Sequence, residues 1–407
     1  KGAVLIRGAK WCGKTTTAEQ VAKSVIYMDD PKLKSTYLRL AEIGIEQLLE
    51  GETPHLIDEW QLAPQLWDAI RYEVDHREAL GQFILTGSAV PADTSKIDHS
   101  GTGRFARLTM RPMSLWESGD STGDVSLQAL FEGEEQVRGF SDFELGDIAY
   151  LICRGGWPRA VDMDKDIALD QAKDYVDSVA ESDLSRVDGV QRSSETTRRL
   201  LRSYARHQGS QATLGTITAD ITSGGSYEVS DRTISDYIDA LRKIFLIEDA
   251  EAWNPNLRSK TAIRSSDTRY FVDPSIATGA LGIGPGDLVK DPNTMGLLFE
   301  TLCVRDLRVY AEALDGKVFH YRDKNDLECD AVLHLRDGSY GLIEIKLGGD
   351  KLIQEGASTL TKLAEKIDTD KMSTPSFKMI LTAVGSYAYR LSDPDDVIVV
   401  PIGCLKP

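Results

Sequence analysis

Positive charge is what this chain is short of. Its 47 Lys and Arg stand against 64 Asp and Glu, a net charge of −17 over 407 residues. An acidic surface repels phosphate backbones, so broad nonspecific binding to nucleic acid is excluded, although net charge is silent about a single basic face. Long apolar runs are missing too. None approaches the roughly 20 residues of a membrane-spanning helix, and no secretory signal is read at the start. Cysteine is scarce: Cys12, Cys153, Cys303, Cys329 and Cys404 show neither paired metal spacing nor a disulfide framework, so a reducing cytoplasm is the expected location. What is present is the composition of a globular protein with proper cores, 41% hydrophobic and 27% charged, at a length that expects two or three domains.

The richest stretch is VLIRGAKWCGKTT, residues 4–16. An aliphatic run ends at Gly8, and Gly8-x-x-x-x-Gly13-Lys14-Thr15 leads into a helix-like segment, the strand, loop, helix order of a P-loop. Glycines at both ends let backbone N–H groups turn inward onto phosphate oxygens. Lys14 would reach the β- and γ-phosphates, and the Thr15 hydroxyl, beside Thr16, would ligate Mg²⁺ under a bound ATP. His55-Leu56-Ile57-Asp58-Glu59 is a short apolar strand ending in two carboxylates. Asp58 is placed to hold Mg²⁺ and Glu59 to orient or deprotonate the attacking water. A third strand, Gln82 to Ser88, ends in hydroxyls, with Thr86 or Ser88 the contact to the γ-phosphate. Arg104 or Arg107, in Gly103-Arg104-Phe105-Ala106-Arg107, is the candidate arginine finger, in cis or from a neighbouring subunit. Cys12 lies inside the loop, either as a small filler or as a thiol whose modification would block ATP.

These segments, GAKWCGKTT, HLIDEWQ, FILTGSA and GRFARLTMRPMSLWE, continue into CRGGWPRAV, KIFLIEDAEAWNPN and RYFVDPSIA. In this order the chain resembles the AAA-type ATPases of bacteria and archaea that carry a C-terminal domain of unknown function. The resemblance implies ATP binding, a winged-helix-like middle and a nuclease-like C-terminal domain. Relatives of this kind carry a short helical segment before the first strand, whereas this chain opens at Lys1 without an initiator Met, so a natural N-terminus ahead of Lys1 is expected.

The expected fold is α/β, in four segments. Residues 1–118 alternate strand and helix signals, a parallel-sheet ATPase core. Residues 119–190 form a helical lid or connector, entered by a polar linker or exposed loop at Glu117 to Asp124. A capping box at Ser141-Asp142-Phe143-Glu144 opens one helix there, and Asp166 to Val187 forms another. Residues 191–275 read as a winged helix. One helix carries Arg198, Arg199, Arg202 and Arg206. A small helix spans Leu214 to Ile221, and a Gly-Gly turn leads to a third helix capped by Ser230. The wing is Phe245 to Ala250 with Arg269 to Val272. The third helix would enter a DNA groove, yet Asp231, Asp236 and Asp239 offset Arg232, Arg242 and Lys243, a poor balance for phosphate contact.

Residues 276–407 resemble the PD-(D/E)XK nuclease fold. Asp330, Glu344 and Lys346 match its Asp and Glu-x-Lys pattern, with Glu300 as the helix-borne acid. Asp330 and Glu344, with the Ile345 carbonyl, would hold Mg²⁺, and Lys346 would stabilise or help deprotonate the water on it. Glu344 and Lys346 share a strand face. Asp330 joins that face only if the hairpin at Asp337-Gly338 has a three-residue loop with Gly338 in a bulge, expected to pair Asp330 with Lys346. A two-residue loop would turn Asp330 away. Two functions compete: an ATPase whose nucleotide state controls a nuclease acting on DNA or RNA, or an ATP-driven switch whose inactive nuclease-like domain binds nucleic acid or a protein partner. Assembly into a homo-oligomer is compatible with either.

Overall fold

A computed structural model of the chain describes residues 1–77, 79–223, 228–255, 266–391 and 396–407. The expected Gly224-Gly225 turn and Asn256, the end of the NPN segment, lie outside the described residues. The chain gathers into two compact units. The first is Lys1–Pro112 with Val179–Ser194 and Asp236–Leu246; the second is Met113–Ser178 with Glu195–Ser235 and Ile247–Pro407.

In the first unit β1 (Ala3–Arg7), β2 (Ser24–Tyr27), β3 (His55–Asp58), β4 (Phe83–Gly87) and β5 (Phe105–Thr109) form one parallel sheet in the order β2-β3-β4-β1-β5. β3 and β4 are buried along their whole length, which is why they read as apolar runs and not as alternating strands. Ile6, Leu56 and Ile84 pack with Ala18 of the helix Lys14–Glu19 on one face. Six residues are too few to be helical by propensity, so this apolar contact, about 1.5–3 kcal/mol for each buried aliphatic side chain, holds the helix in place. Leu5, Leu85 and Phe105 pack against Trp60 and Trp67 on the other face.

The second unit pairs β6 (Val125–Ser126) with the C-terminal β13 (Leu405–Lys406) and builds a six-stranded sheet in the order β11-β12-β10-β9-β8-β7. Here β7 is Gly316–Arg322, β8 Glu328–Leu335, β9 Tyr340–Lys346, β10 Phe377–Thr382, β11 Tyr389–Arg390 and β12 Ile398–Pro401. β7, β8 and β9 form an antiparallel meander, and β9, β10 and β12 run parallel. The helix Pro292–Ala313 starts on an Asp291 side chain that accepts from the Thr294 amide at 3.2 Å, with Pro at the first turn, and the helix Asp350–Lys366 packs on β9 and β10.

Glu117 to Asp124 is a loop with Glu117, Gly119, Thr122 and Asp124 exposed, tied at its middle where Ser121 Oγ donates to the Leu405 carbonyl at 2.7 Å and Asp120 pairs with Arg154 at 2.6 Å. Two local expectations change. The capping box falls on Glu144 and Asp147 at the head of Leu145–Arg154, with Asp147 accepting from the Glu144 amide at 3.0 Å; Ser141 is buried elsewhere, its amide donating to the Ser386 carbonyl at 3.2 Å. The wing strands are reduced to two antiparallel bridges, Ile247–Phe271 and Ala250–Thr268. They follow the helices Ser194–Arg206, Leu214–Thr222 and Asp231–Lys243, the last capped by Ser230 Oγ on the Thr233 amide at 3.1 Å.

The family-like motifs meet at one buried ion cluster. Arg305 is 1% exposed and bonds Asp273 at 2.9 Å and Asp306 at 2.7 Å, both fully buried. Asp273 also accepts from the Gly156 amide at 2.9 Å, and Asp306 from the Leu115 amide at 2.9 Å. The Gly155-Gly156 pair is required by close approach. A Cβ on Gly156 would sit 2.0 Å from the Met113 carbonyl oxygen, and one on Gly155, at φ +71°, 2.4 Å from the Asp273 carboxylate. Trp157 Nε1 then donates to Ser275 Oγ at 2.9 Å.

His320 on β7 supplies a pH test. Gln211 Nε2 lies 3.3 Å from its Nδ1, and its Nε2 faces the Ser266 carbonyl at 3.1 Å, so the ring is neutral with its proton on Nε2. Burial lowers its pKa from 6.5 to about 4. The unfolded chain therefore takes up a proton that the folded chain refuses. The stability it contributes is full above pH 6.5 and is lost as pH falls toward 4, by about 3 kcal/mol at most. Urea unfolding between pH 7.5 and 4.5 is expected to show this loss, and His320→Gln to flatten that part of the pH profile.

Candidate functional site

The loop between β1 and the helix Lys14–Glu19 closes on its own lysine. Lys14 is buried, and its Nζ donates to the Ala9 carbonyl at 2.7 Å. Gly13 caps the helix at φ +99°, a left-handed conformation open to glycine. A Cβ on Gly8 would lie 1.9 Å from the Met110 carbonyl oxygen. Cys12 is fully buried beside it, its Sγ 3.4 Å from that oxygen, and burial pushes its thiol up, so it fits the filler role. Thr16 follows Thr15 in the first turn of the helix.

The sheet order puts β4 between β1 and β3, and the register sets Thr86 opposite both Ile6 and Asp58. Asp58 accordingly accepts from the Thr86 hydroxyl and from Thr15 Oγ1 at 2.8 Å. This hydroxyl–carboxylate pair is the donor set a hard cation such as Mg²⁺ takes at a P-loop. Glu59 follows at φ +54°. Its carboxylate accepts from Ser88 Oγ at 3.2 Å and from Gln61 Nε2. Burial, then the charge of Asp58, raises its pKa. Of the two hydroxyls at the end of β4, Thr86 is thus engaged by Asp58 and Ser88 by Glu59. Gln61 was not foreseen; its only signal is its place two residues after Glu59 in HLIDEWQ.

Neither arginine reaches this loop. Phe105 pairs with Ala3 at the start of β1, whereas the phosphate loop follows its end, about 15 Å further along five strand residues. Arg104 pairs there with Asp75 at 2.8 Å. Arg107 donates to the Ser100 carbonyl at 3.1 Å and lies over the Trp67 ring. A finger role for Arg104 is left to a neighbouring subunit.

In the second unit, Glu300 from the helix, Asp330 from β8, and Glu344 and Lys346 from β9 converge. The β8–β9 loop is the expected three-residue one: Leu335 N donates to the Ser339 carbonyl at 2.8 Å and Gly338 has φ +95°. The partner of Asp330 differs from expectation. Regular pairing ends at Ala331–Ile343, and one further step sets Asp330 across from Glu344 and not from Lys346. The parity is the same, so the three side chains still share a face. Asp330 accepts from the Ile345 amide at 2.7 Å, and Lys346 Nζ reaches Asp330 at 3.1 Å and Glu344 at 2.6 Å.

The electrostatics are those of crowded buried carboxyls. Burial, then Asp330, raises Glu344 to about 8. The same two causes raise Glu300 well above the usual carboxyl range, where the Tyr270 hydroxyl donates to it. Burial alone would lower Lys346, but Asp330 and Glu344 outweigh it and hold the ammonium charged. Gly209, at φ +67°, brings backbone against Glu300: a Cβ there would lie 2.9 Å from its carboxylate oxygens. Tyr270 and Gly209 had no sequence signal beyond lying in or near motifs. Among the described residues no three His, Cys, Asp or Glu side chains are grouped to hold a metal ion, and the carboxylates that meet at Lys346 are Asp330 and Glu344.

Strand order, the glycine-bounded loop and the meeting of Thr15, Asp58 and Glu59 behind it give residues 1–118 the form of a P-loop domain, within an α/β fold that carries a second sheet. The comparisons agree: residues 1–118 match the AAA domain family, 145–287 a domain of unknown function (DUF8612), and 295–405 another domain of unknown function (DUF4143). The chain is similar to an uncharacterized protein, Rv2008c, of Mycobacterium tuberculosis and to its counterpart Mb2031c of Mycobacterium bovis. Each is 24% identical over 352 residues, which cover 84% of this chain and 70% of the relative. A solved structure of the Aeropyrum pernix ORC1 protein in complex with DNA aligns at 14% identity over 72% of this chain and 87% of that one. Its TM-score of 0.26 is too low to carry an assignment. No helix among the described residues is long and apolar enough to cross a membrane.

Proposed function

We propose that the chain hydrolyses ATP with Mg²⁺ and that its nucleotide state governs a nuclease-like centre in the second unit acting on DNA or RNA. The observation that carries the second half is the convergence of Glu300, Asp330, Glu344 and Lys346 from one helix and two strands. At the P-loop, Thr15 and Asp58 would hold Mg²⁺, Lys14 and the loop amides would bind the phosphates, and Glu59 would take the proton of the attacking water. At the second centre Asp330, Glu344 and the Ile345 carbonyl would hold a divalent ion, which when bound supplies an activated water. Lys346 orients the carboxylate pair and offers positive charge to a phosphate. Substrate reaches this centre through a cleft of ≈ 140 Å³ that runs from Glu300 and Asp330 to Ser210, Gln211 and Arg322.

The test is cleavage of labelled single- and double-stranded DNA and RNA with Mg²⁺ or Mn²⁺, with and without ATP. Cleavage is expected to fall at least about 10²-fold in Asp330→Ala, the effect of losing a general catalytic contact. A second reading, an inactive domain that binds nucleic acid or a protein, is favoured by one observation: Lys346 Nζ closes on both carboxylates that would hold the ion. Absence of cleavage on every substrate and with both ions selects it. Within that reading a protein partner is favoured over double-stranded DNA, because Arg198, Arg199 and Arg206 are paired with Asp177, Glu195 and Asp220 and have little charge to offer phosphates.

A further inference from the structure

The ATPase unit contains a second cleft, on the sheet face opposite the helix Lys14–Glu19. Its volume is ≈ 250 Å³. One wall is aromatic: Trp67 stacks on Phe105 with centroids 3.8 Å apart, and Trp60 lies 5.3 Å from Trp67. Phe245, Val90 and Pro91 line it as well. Its charge runs against the rest of the chain. Arg7, Arg107 and His99 line it and, among the described residues, no carboxylate does, in a protein of net charge −17. The imidazole of His99 is held by Asp68 at 2.9 Å, but neither Arg7 nor Arg107 forms an ion pair among the described residues. Arg107 lies 5.7 Å from the Trp67 centroid and Arg7 5.9 Å from that of Phe245, so each guanidinium is carried by a ring of the cleft.

Phe245 reaches the cleft at a cost. The helix Asp231–Lys243 ends with Leu246 N donating to the Leu241 carbonyl at 3.0 Å and Phe245 N to the Arg242 carbonyl at 3.0 Å, the bonds of a Schellman turn. That turn wants glycine at its left-handed position. Phe245 occupies it at φ +58°, which costs about 1–2 kcal/mol for a residue with a Cβ. Strain of this kind is retained where a side chain is used.

We propose that this cleft binds a small planar aromatic molecule carrying an anionic group, its ring between Trp67 and Phe245 and its charge on Arg107 and Arg7. Occupancy also changes the rate of ATP hydrolysis. The cleft is built on the backbone that carries the hydrolytic group, since Trp60 directly follows Glu59 and Gly87 precedes Ser88, which bonds Glu59. The coupling rests on Glu59 acting as proposed above; the binding does not.

The experiment is calorimetric titration of the full chain with 2-naphthalenesulfonate, and with uncharged 2-naphthol as control. One-to-one binding is expected, at least tenfold weaker for 2-naphthol and at least tenfold weaker for Arg107→Gln. Phe245→Gly removes the ring and the backbone strain together, so it is expected to lose binding while its thermal midpoint holds or rises. The site would be overturned by no one-to-one binding, by binding indifferent to charge and to both substitutions, or by displacement of the sulfonate by ATP, which would place it in the phosphate loop. Self-association of the chain that shields the cleft from the sulfonate would overturn it in favour of a second copy as the occupant. With the sulfonate saturating, ATP hydrolysis is expected to change at least twofold. Binding without any change in rate would overturn the coupling, and an inactive enzyme that still binds would instead point to failure of the Glu59 reading.

Discussion

Glu59→Gln is expected to leave ATP bound and to slow its hydrolysis about 10²- to 10⁴-fold, the contribution of a positioned general base. That is about 3–5 kcal/mol of barrier. Binding is expected to survive because, on the proposed reading, the phosphates would be held by other groups, Lys14 and the loop amides, and the cation by Thr15 and Asp58. Gln can still accept from Ser88 and Gln61, so the shape of the site is kept while its proton acceptor is lost. Lys14→Ala is the opposite case and removes affinity itself. The pH profile supplies a second readout. Burial raises the Glu59 pKa, so the acid limb of the rate lies above that of a free carboxylate. Activity falls as pH drops through it, because a protonated Glu59 cannot take the proton of the water. Phosphate release and binding of a fluorescent ATP analogue, both followed across pH, separate the two effects. Hydrolysis by Glu59→Gln at the wild-type rate would remove Glu59 from the mechanism.

The second large effect is on stability. Arg305→Met is expected to cost about 3–5 kcal/mol, since it strands Asp273 and Asp306 in a dry interior. Against a total of about 5–15 kcal/mol for a typical domain, this brings the second unit near its unfolding threshold. The cost has a pH signature. Burial already lifts Asp306 to about 6 against the pull of Arg305. A carboxyl whose pKa is raised by folding withdraws stability as pH rises through that value. Without the cation the penalty grows, so the loss is larger at pH 8 than at pH 5. In an Asp306→Asn background the same Arg305→Met change is expected to cost less, because one stranded charge is gone. Urea unfolding of the four proteins of this cycle at both pH values measures it. Equal losses at pH 5 and pH 8 would show that packing, and not charge, holds the cluster.

The P-loop, the Asp58-Glu59 pair and the strands and helices of the C-terminal sheet were legible because each is written in contiguous residues. A glycine-bounded turn, a run of apolar residues and a Glu-x-Lys alternation need only neighbours along the chain. Even the β8–β9 loop length could be inferred, from Gly338 and the parity of strand side chains, although the partner of Asp330 was displaced by two residues. What the sequence could not reach was distance across the fold. Only the β1–β5 register puts Arg104 at the end of the sheet away from the phosphate loop, and only the β3–β4 register gives the Thr86 hydroxyl to Asp58. The Gly155-Gly156-Trp157 and Asp273 motifs, which in the sequence carried only the resemblance, are halves of one buried ion cluster about Arg305, joined by contacts 117 and 118 residues apart. The aromatic cleft joins β1, the end of β4 and the end of a helix more than 150 positions later, and no local pattern marks it. The sequence by itself determined the chemistry available and the elements that carry it, because these depend on adjacent side chains. Tertiary structure decided which groups meet and which charges are paired, because register and burial arise only when the chain has folded.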